Sequence, residues 1–97
     1  MKELRLAPDA VQDLARLRAF LGEKSSAAAE RAAARILQVA TLLVEQPELG
    51  RPVEDEELPG LREILAPFGG GAYVLRYRID ADAVVIARVW HSREERE

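Results

Sequence analysis

The chain has 97 residues, of which 48% are apolar and 32% charged, with a formal net charge of −3 and no cysteine. That size supports one hydrophobic core, read as a single domain over residues 1–97. The balance excludes a largely disordered chain, and the missing cysteine excludes disulfides, thiolate zinc sites and a thiol nucleophile. No apolar run approaches the roughly 20 residues a membrane span needs, and "MKELRLAPDA" lacks the apolar stretch of a signal peptide. A cytoplasmic location is expected.

"KELRLA" reads as a short opening strand, followed by Pro8 at a first helical turn, where its missing N–H is not needed. Ala10, Leu14, Leu17 and Leu21 then recur at helical spacing, and Gly22 is expected to close this helix in the left-handed conformation. "EKSS" is a turn in which Ser25 or Ser26 caps the next helix. Ala29, Ala33, Ile36, Ala40 and Leu43 form its stripe, and Pro47 ends it. The small residues allow close approach, so the two segments are expected to form an antiparallel hairpin.

"PELGRPVEDEELPG" breaks both periodicities and reads as a loop carrying four consecutive acids, Glu54 to Glu57. "LREILA" is a strand interrupted by "PFGGG". In "AYVLRYRI", Tyr73, Leu75, Tyr77 and Ile79 share one face, and Val74, Arg76 and Arg78 the other. "DAD" is a tight turn, and "AVVIARVWH" returns as the last strand of a hairpin.

The predicted class is α+β: an N-terminal strand, an antiparallel two-helix hairpin and a three-stranded antiparallel meander. Both helices pack on one face of a four-stranded antiparallel sheet. The register of the last hairpin is open. A two-residue turn puts His91 and Arg93 beside Arg76 and Arg78 on the uncovered face, whereas a three-residue turn puts Arg88 and Trp90 there.

Without the acidic run the chain is close to neutral, and seven of the twelve arginines lie from Arg51 onward. Guanidinium forks gathered on one side would suit phosphate or carboxylate. With one histidine and no cysteine, no metal constellation forms, and Gly69 to Gly71 lack the lysine and helix of a phosphate loop. No cofactor is expected.

The order of "LAPDAVQDLARLRAFL", "PELGRPV", "LREI", "AYVLRYRID" and "VVIARVWHSRE" resembles the RelE/ParE toxins of bacterial type II toxin–antitoxin systems, the ParE branch in particular. The resemblance implies the strand–helix–helix–three-strand fold. It also implies a cognate, ParD-like antitoxin whose C-terminal segment wraps the toxin in a hetero-oligomer.

RelE-like members cut mRNA on the ribosome with basic residues of the open sheet face and a late tyrosine. Arg62 and Arg93 match two of the basic positions. Val74 and Ile64 stand where a sheet arginine and a second lysine are expected, and no tyrosine follows Tyr77. The ParE-like pattern, carried by "GRP", "LRE", "YR" and the late His91–x–Arg93, implies non-catalytic inhibition of DNA gyrase.

On the resemblance, the residues expected to contact target or antitoxin are Arg51, Arg62, Arg76, Arg78, Trp90, His91 and Arg93. Arg62 and Glu63 have the alternative of a cross-strand ion pair. No catalytic residue is assigned; His91 and Arg93 take that role only in the rival endoribonuclease reading, His91 being the one side chain that ordinarily titrates near neutrality. A third alternative is a non-toxic antitoxin-binding module.

Overall fold

The computed structural model describes residues 2–54 and 57–94, so Asp55 and Glu56 of the acidic run, and Arg96, lie outside the described residues. The chain forms β1 (Glu3–Leu6), α1 (Pro8–Gly22), α2 (Ser26–Glu45), a 3-10 turn (Pro47–Leu49), β2 (Arg51–Pro52), β3 (Leu61–Phe68), β4 (Gly71–Ile79) and β5 (Ala83–His91). The strand order is β1-β5-β4-β3-β2, with β1 parallel to β5 and the other pairs antiparallel. The α+β class and the helices on one face are as expected. The sheet is nevertheless five-stranded and mixed, because two residues of the presumed loop pair with β3.

Pro8 opens α1, and Ala10 and Leu17 are buried beneath it. Gly22 is the last helical residue and does not take the left-handed conformation, which among the described residues occurs only at Gly60 and Gly69. The helix instead closes through Glu23 N–H to the Ala19 carbonyl, with both Lys24 and Ser25 N–H donating to Leu21. Ser25 Oγ accepts from Ala28 N–H at 3.1 Å, the N-cap of α2. Ala29, Ile36, Ala40 and Leu43 of the expected stripe are buried, but Ala33 is exposed and Ala32 and Val39 lie inward.

Tyr73, Leu75 and Tyr77 of β4 meet the helices, as alternation requires. On β5 neither simple alternation holds. Ile79 pairs with Val84 and Tyr77 with Ile86, but Arg76 pairs with Arg88 and Leu75 with Val89, so a bulge at Ala87 shifts the register. Val84 and Ile86 before it, and Val89 after it, therefore all reach the core.

No helix among the described residues is long and apolar enough to cross a membrane. The sheet edges are managed locally. At β3, Pro67 has no N–H to offer and its carbonyl accepts from Arg35 Nε at 3.1 Å. At β5, β1 stops at Leu6, opposite Ile86, leaving the second half of the strand without a neighbour. There α1 supplies Asp13, only 4% exposed, whose Oδ2 accepts from Val89 N–H at 2.9 Å and from Arg88 Nε at 2.8 Å. Oδ1 accepts from Arg88 Nη2 at 3.1 Å and Arg16 Nη2 at 3.3 Å.

Burial alone would raise the Asp13 pKa, but the hydrogen bonds from Arg88, Val89 and Arg16 and the Arg88 charge outweigh it and hold the carboxyl below its usual value. A depressed folded-state pKa contributes stability that is present above the unfolded value and is lost as pH falls through the folded one. Asp13→Ala should cost about 2–3 kcal/mol at neutral pH, because it leaves Val89 N–H and a partly covered guanidinium without an acceptor. Asp13→Asn should flatten the stability loss below about pH 4. Urea unfolding across pH checks both, and an unchanged acid limb in Asp13→Asn would remove Asp13 from that role.

Candidate functional site

The face of the sheet away from the helices is built from rows of directly paired residues. Arg51, Glu63, Arg76 and Arg88 form one row across β2 to β5. Leu61, Arg78, Val85 and Arg5 form a second, and Leu65, Val74 and Trp90 a third. Arg76 Nε and Nη2 both meet Glu63 Oε2, at 2.8 and 2.5 Å, and its guanidinium lies 5.1 Å from the centre of the Trp90 ring. Arg78 Nε meets Asp80 Oδ1 at 3.2 Å, and Arg5 meets Glu3 at 2.8 Å and Asp82 at 3.7 Å. Arg88 turns its guanidinium to Asp13, whose hydrogen bonds raise its pKa. Four of the five arginines in these rows thus face a carboxylate.

The expected single arginine surface is divided. Arg51, Arg76, Arg78 and Trp90 share the open face. Arg62 pairs with Tyr77 on the helix side, and its Nη1 donates to the carbonyls of Gly50 (2.7 Å) and Glu48 (3.2 Å). The cross-strand ion pair exists, but between Glu63 and Arg76. The bulge sends His91 to the helix side, edge-on to Tyr73 with ring centres 5.1 Å apart. Its Nδ1 accepts from Arg93 N–H at 3.2 Å, and Gly71 gives it room, since a Cβ there would stand 2.8 Å from Cε1. Arg93 lies past the strand and donates to the Gly70 carbonyl at 2.5 Å.

Sequence reasoning missed how Tyr77 is used. Its hydroxyl donates to the Pro47 carbonyl at 2.7 Å and accepts from Gly50 N–H at 2.8 Å. Burial raises the Tyr77 pKa, partly offset by the Gly50 bond and the Arg62 charge. A Cβ at Gly50 would lie 2.5 Å from the tyrosine oxygen and 2.7 Å from the Glu63 carbonyl. This explains the glycine of "GRP": the chain must pass against Tyr77 for Arg51 to enter the sheet. The spacing from Gly50 to Tyr77 carried no signal of that contact.

A family model for the ParE toxin of the type II toxin–antitoxin system parDE matches residues 4–96. The chain belongs to the ParE toxin family. Toxin RelE3 of Caulobacter vibrioides is 43% identical over 96 residues, 99% of this chain and 100% of that protein. Toxin RelE1 of the same organism is 39% identical over 87 residues, covering 90% and 89%. The structure of the RelBE2 toxin–antitoxin complex of Mycobacterium tuberculosis is similar at a TM-score of 0.65 and 31% identity, over 93% of this chain and 96% of that one. A chain of the chromosomal ParDE system of P. aeruginosa shares the fold at a TM-score of 0.74 and 21% identity, over 94% and 96%. The protein is therefore a type II toxin of the ParE/RelE family, and the motifs that carried the resemblance sit at its structural joints: "GRP" at Tyr77, "LRE" at Arg62 and Glu63.

In this toxin Gly50→Ala should lower stability by about 2–3 kcal/mol through overpacking against Tyr77 and the β3 backbone. Thermal and urea unfolding measure it. A variant as stable as the parent would show that β2 shifts freely.

Proposed function

We propose that this toxin arrests growth by binding DNA gyrase, the target its ParE membership implies, without cutting RNA, and that a cognate ParD-like antitoxin holds it inactive. The observation that carries the reading is the state of the polar groups. RNA cleavage needs a base for the 2′-hydroxyl and cations free to stabilise a phosphorane. The one histidine is packed on Tyr73 with Nδ1 already accepting a hydrogen bond. Both tyrosines are buried, and four of the five open-face arginines already face carboxylates.

Support for the antitoxin comes from the other side. Similar chains were solved in the RelBE2 and ParDE systems. Between α1, α2 and β1 this chain has an apolar groove of about 390 Å³, lined by Leu4, Leu6, Leu14, Leu21, Ala33 and Leu37 among others. Glu3 N–H donates to Asp82, just before β5, and Ala7 N–H to Ile86 within it, so by strand alternation the N–H and C=O of Leu4 and Leu6 face the free edge. An antitoxin segment adding a strand there, or laying a helix in the groove, would cover both.

Two measurements test this. Expressed without antitoxin, the toxin should inhibit supercoiling by purified gyrase and leave no discrete cuts in primer extension on cellular mRNA, and His91→Gln should still arrest growth. Codon-spaced cuts abolished by His91→Gln would establish the endoribonuclease instead, and absence of any arrest would mark a non-toxic antitoxin-binding module. Leu37 is 59% exposed, so Leu37→Asp should leave folding and arrest intact while weakening antitoxin binding at least tenfold. Unchanged antitoxin affinity would take the antitoxin out of the groove.

A further inference from the structure

The open face has a composition of its own. Glu63 clamps Arg76, and Arg76 lies over the Trp90 ring, so the indole is held from one side by a fixed guanidinium. Beside it the row Trp90–Val74–Leu65 is wholly apolar, spanning three strands, about 10 Å. Leu65 is 56% exposed at the far end, while Val74 in the middle is covered by its neighbours. Around this row the charges nearly cancel: Arg5 with Glu3 and Asp82, Arg76 with Glu63, Arg78 with Asp80, and Arg88 with Asp13.

That pattern discriminates between partner classes. A nucleic-acid surface needs cations that can neutralise phosphates, and its affinity comes from the counterions they release. Here a phosphate would meet a carboxylate next to nearly every guanidinium. A protein interface has the reverse design, with an aromatic and arginine centre, a polar rim and balanced charge.

We infer that the open sheet face is the target-docking surface, that Trp90 is its anchor, and that the occupant is a folded protein surface of mixed charge presenting an apolar pocket. This rests on the non-catalytic reading above and assigns it a place. Glu63 is a positioning residue: it acts on the target only through Arg76 and the indole. The helix-side groove is left to the antitoxin, so target and antitoxin use opposite sides of the sheet.

The test measures binding of immobilised toxin to purified gyrase between 50 and 200 mM salt, together with growth arrest in cells lacking the antitoxin. Trp90→Ala should weaken gyrase binding at least tenfold and abolish arrest, with antitoxin affinity unchanged. Should Trp90→Ala not fold, Leu65→Glu introduces a charge at an exposed position of the same row and should act likewise. Glu63→Gln should weaken binding several-fold and shift the emission of Trp90, the only tryptophan of the chain. Wild-type affinity should change by less than about tenfold across that salt range, against the roughly 10³–10⁵-fold expected for a surface making six to ten phosphate contacts. Full arrest by folded Trp90→Ala and Leu65→Glu variants overturns the surface, whatever the target. Tight, steeply salt-dependent binding of single-stranded RNA overturns the partner class. Failure of the wild type to bind gyrase while Trp90→Ala still abolishes arrest removes gyrase alone and keeps the docking face.

Discussion

The architecture depends on one buried carboxylate. β1 spans four residues and β5 nine, so the strand carrying Trp90 and His91 would leave half its edge bare. An uncovered edge invites pairing with another chain. Asp13 takes the place of the missing strand by accepting Val89 N–H from one turn and a half into α1. Because a single residue, Ala7, separates β1 from α1, the helix has no choice but to start beside that edge. The same carboxylate faces Arg88 and Arg16, and Arg16 reaches on to Glu94 at 2.5 Å, so α1, β5 and the turn beyond it are tied at one point. Replacing such a cluster by apolar residues often costs nothing in stability, so burial alone does not set its contribution. Asp13 bonds β5 at Arg88 and Val89, directly after the bulge.

The bulge at Ala87 lies immediately before this anchor, and it explains what was illegible in the sequence. Alternation on "AVVIARVWH" allowed two faces, and the strand uses one before the bulge and the other after it. Val84 and Ile86 obey the first reading, and Val89 and His91 the second. No periodicity shows this, because the cause is a contact 76 residues away, from Asp13 to Val89. The helices were legible because their stripes are long and capped by Pro8, Ser25 and Pro47. Gly22 ends α1 as its position suggests, but not in the left-handed conformation, because the carbonyls at the end of the helix are satisfied without one.

The parallel pairing of β1 with β5 has a similar origin. If every element reverses the chain, strand, helix, helix and three strands would leave the last strand antiparallel to the first. The two residues of β2 add one reversal and change the parity. The sequence reads as loop there because "GRPVEDE" has neither length nor alternation. Its pairing is secured from outside, by Tyr77 holding Gly50 and Arg62 holding the carbonyls of Glu48 and Gly50. Arg62, expected to contact target or antitoxin or to pair with Glu63, has a role the sequence does not display: it fastens a strand, and its fork faces backbone oxygens.

Charge pairing then bears on what separates the activities within this superfamily. Isolated surface ion pairs contribute about 0–1 kcal/mol, so the carboxylates opposite Arg5, Arg76 and Arg78 do little for stability. Their larger effect is on potential: a sheet face with five arginines reads as nearly neutral to an approaching polyanion. Val74 sharpens the contrast. It occupies the position where the resemblance places a cation in RNA-cutting members, and here it is 7% exposed between Leu65 and Trp90. An arginine there would need solvent or an anion to face; a valine paired with Trp90 and Leu65 completes an apolar row. On the proposed docking face, one valine in place of a cation, with acids opposite the remaining arginines, favours a partner fitted by shape over a backbone gripped by charge.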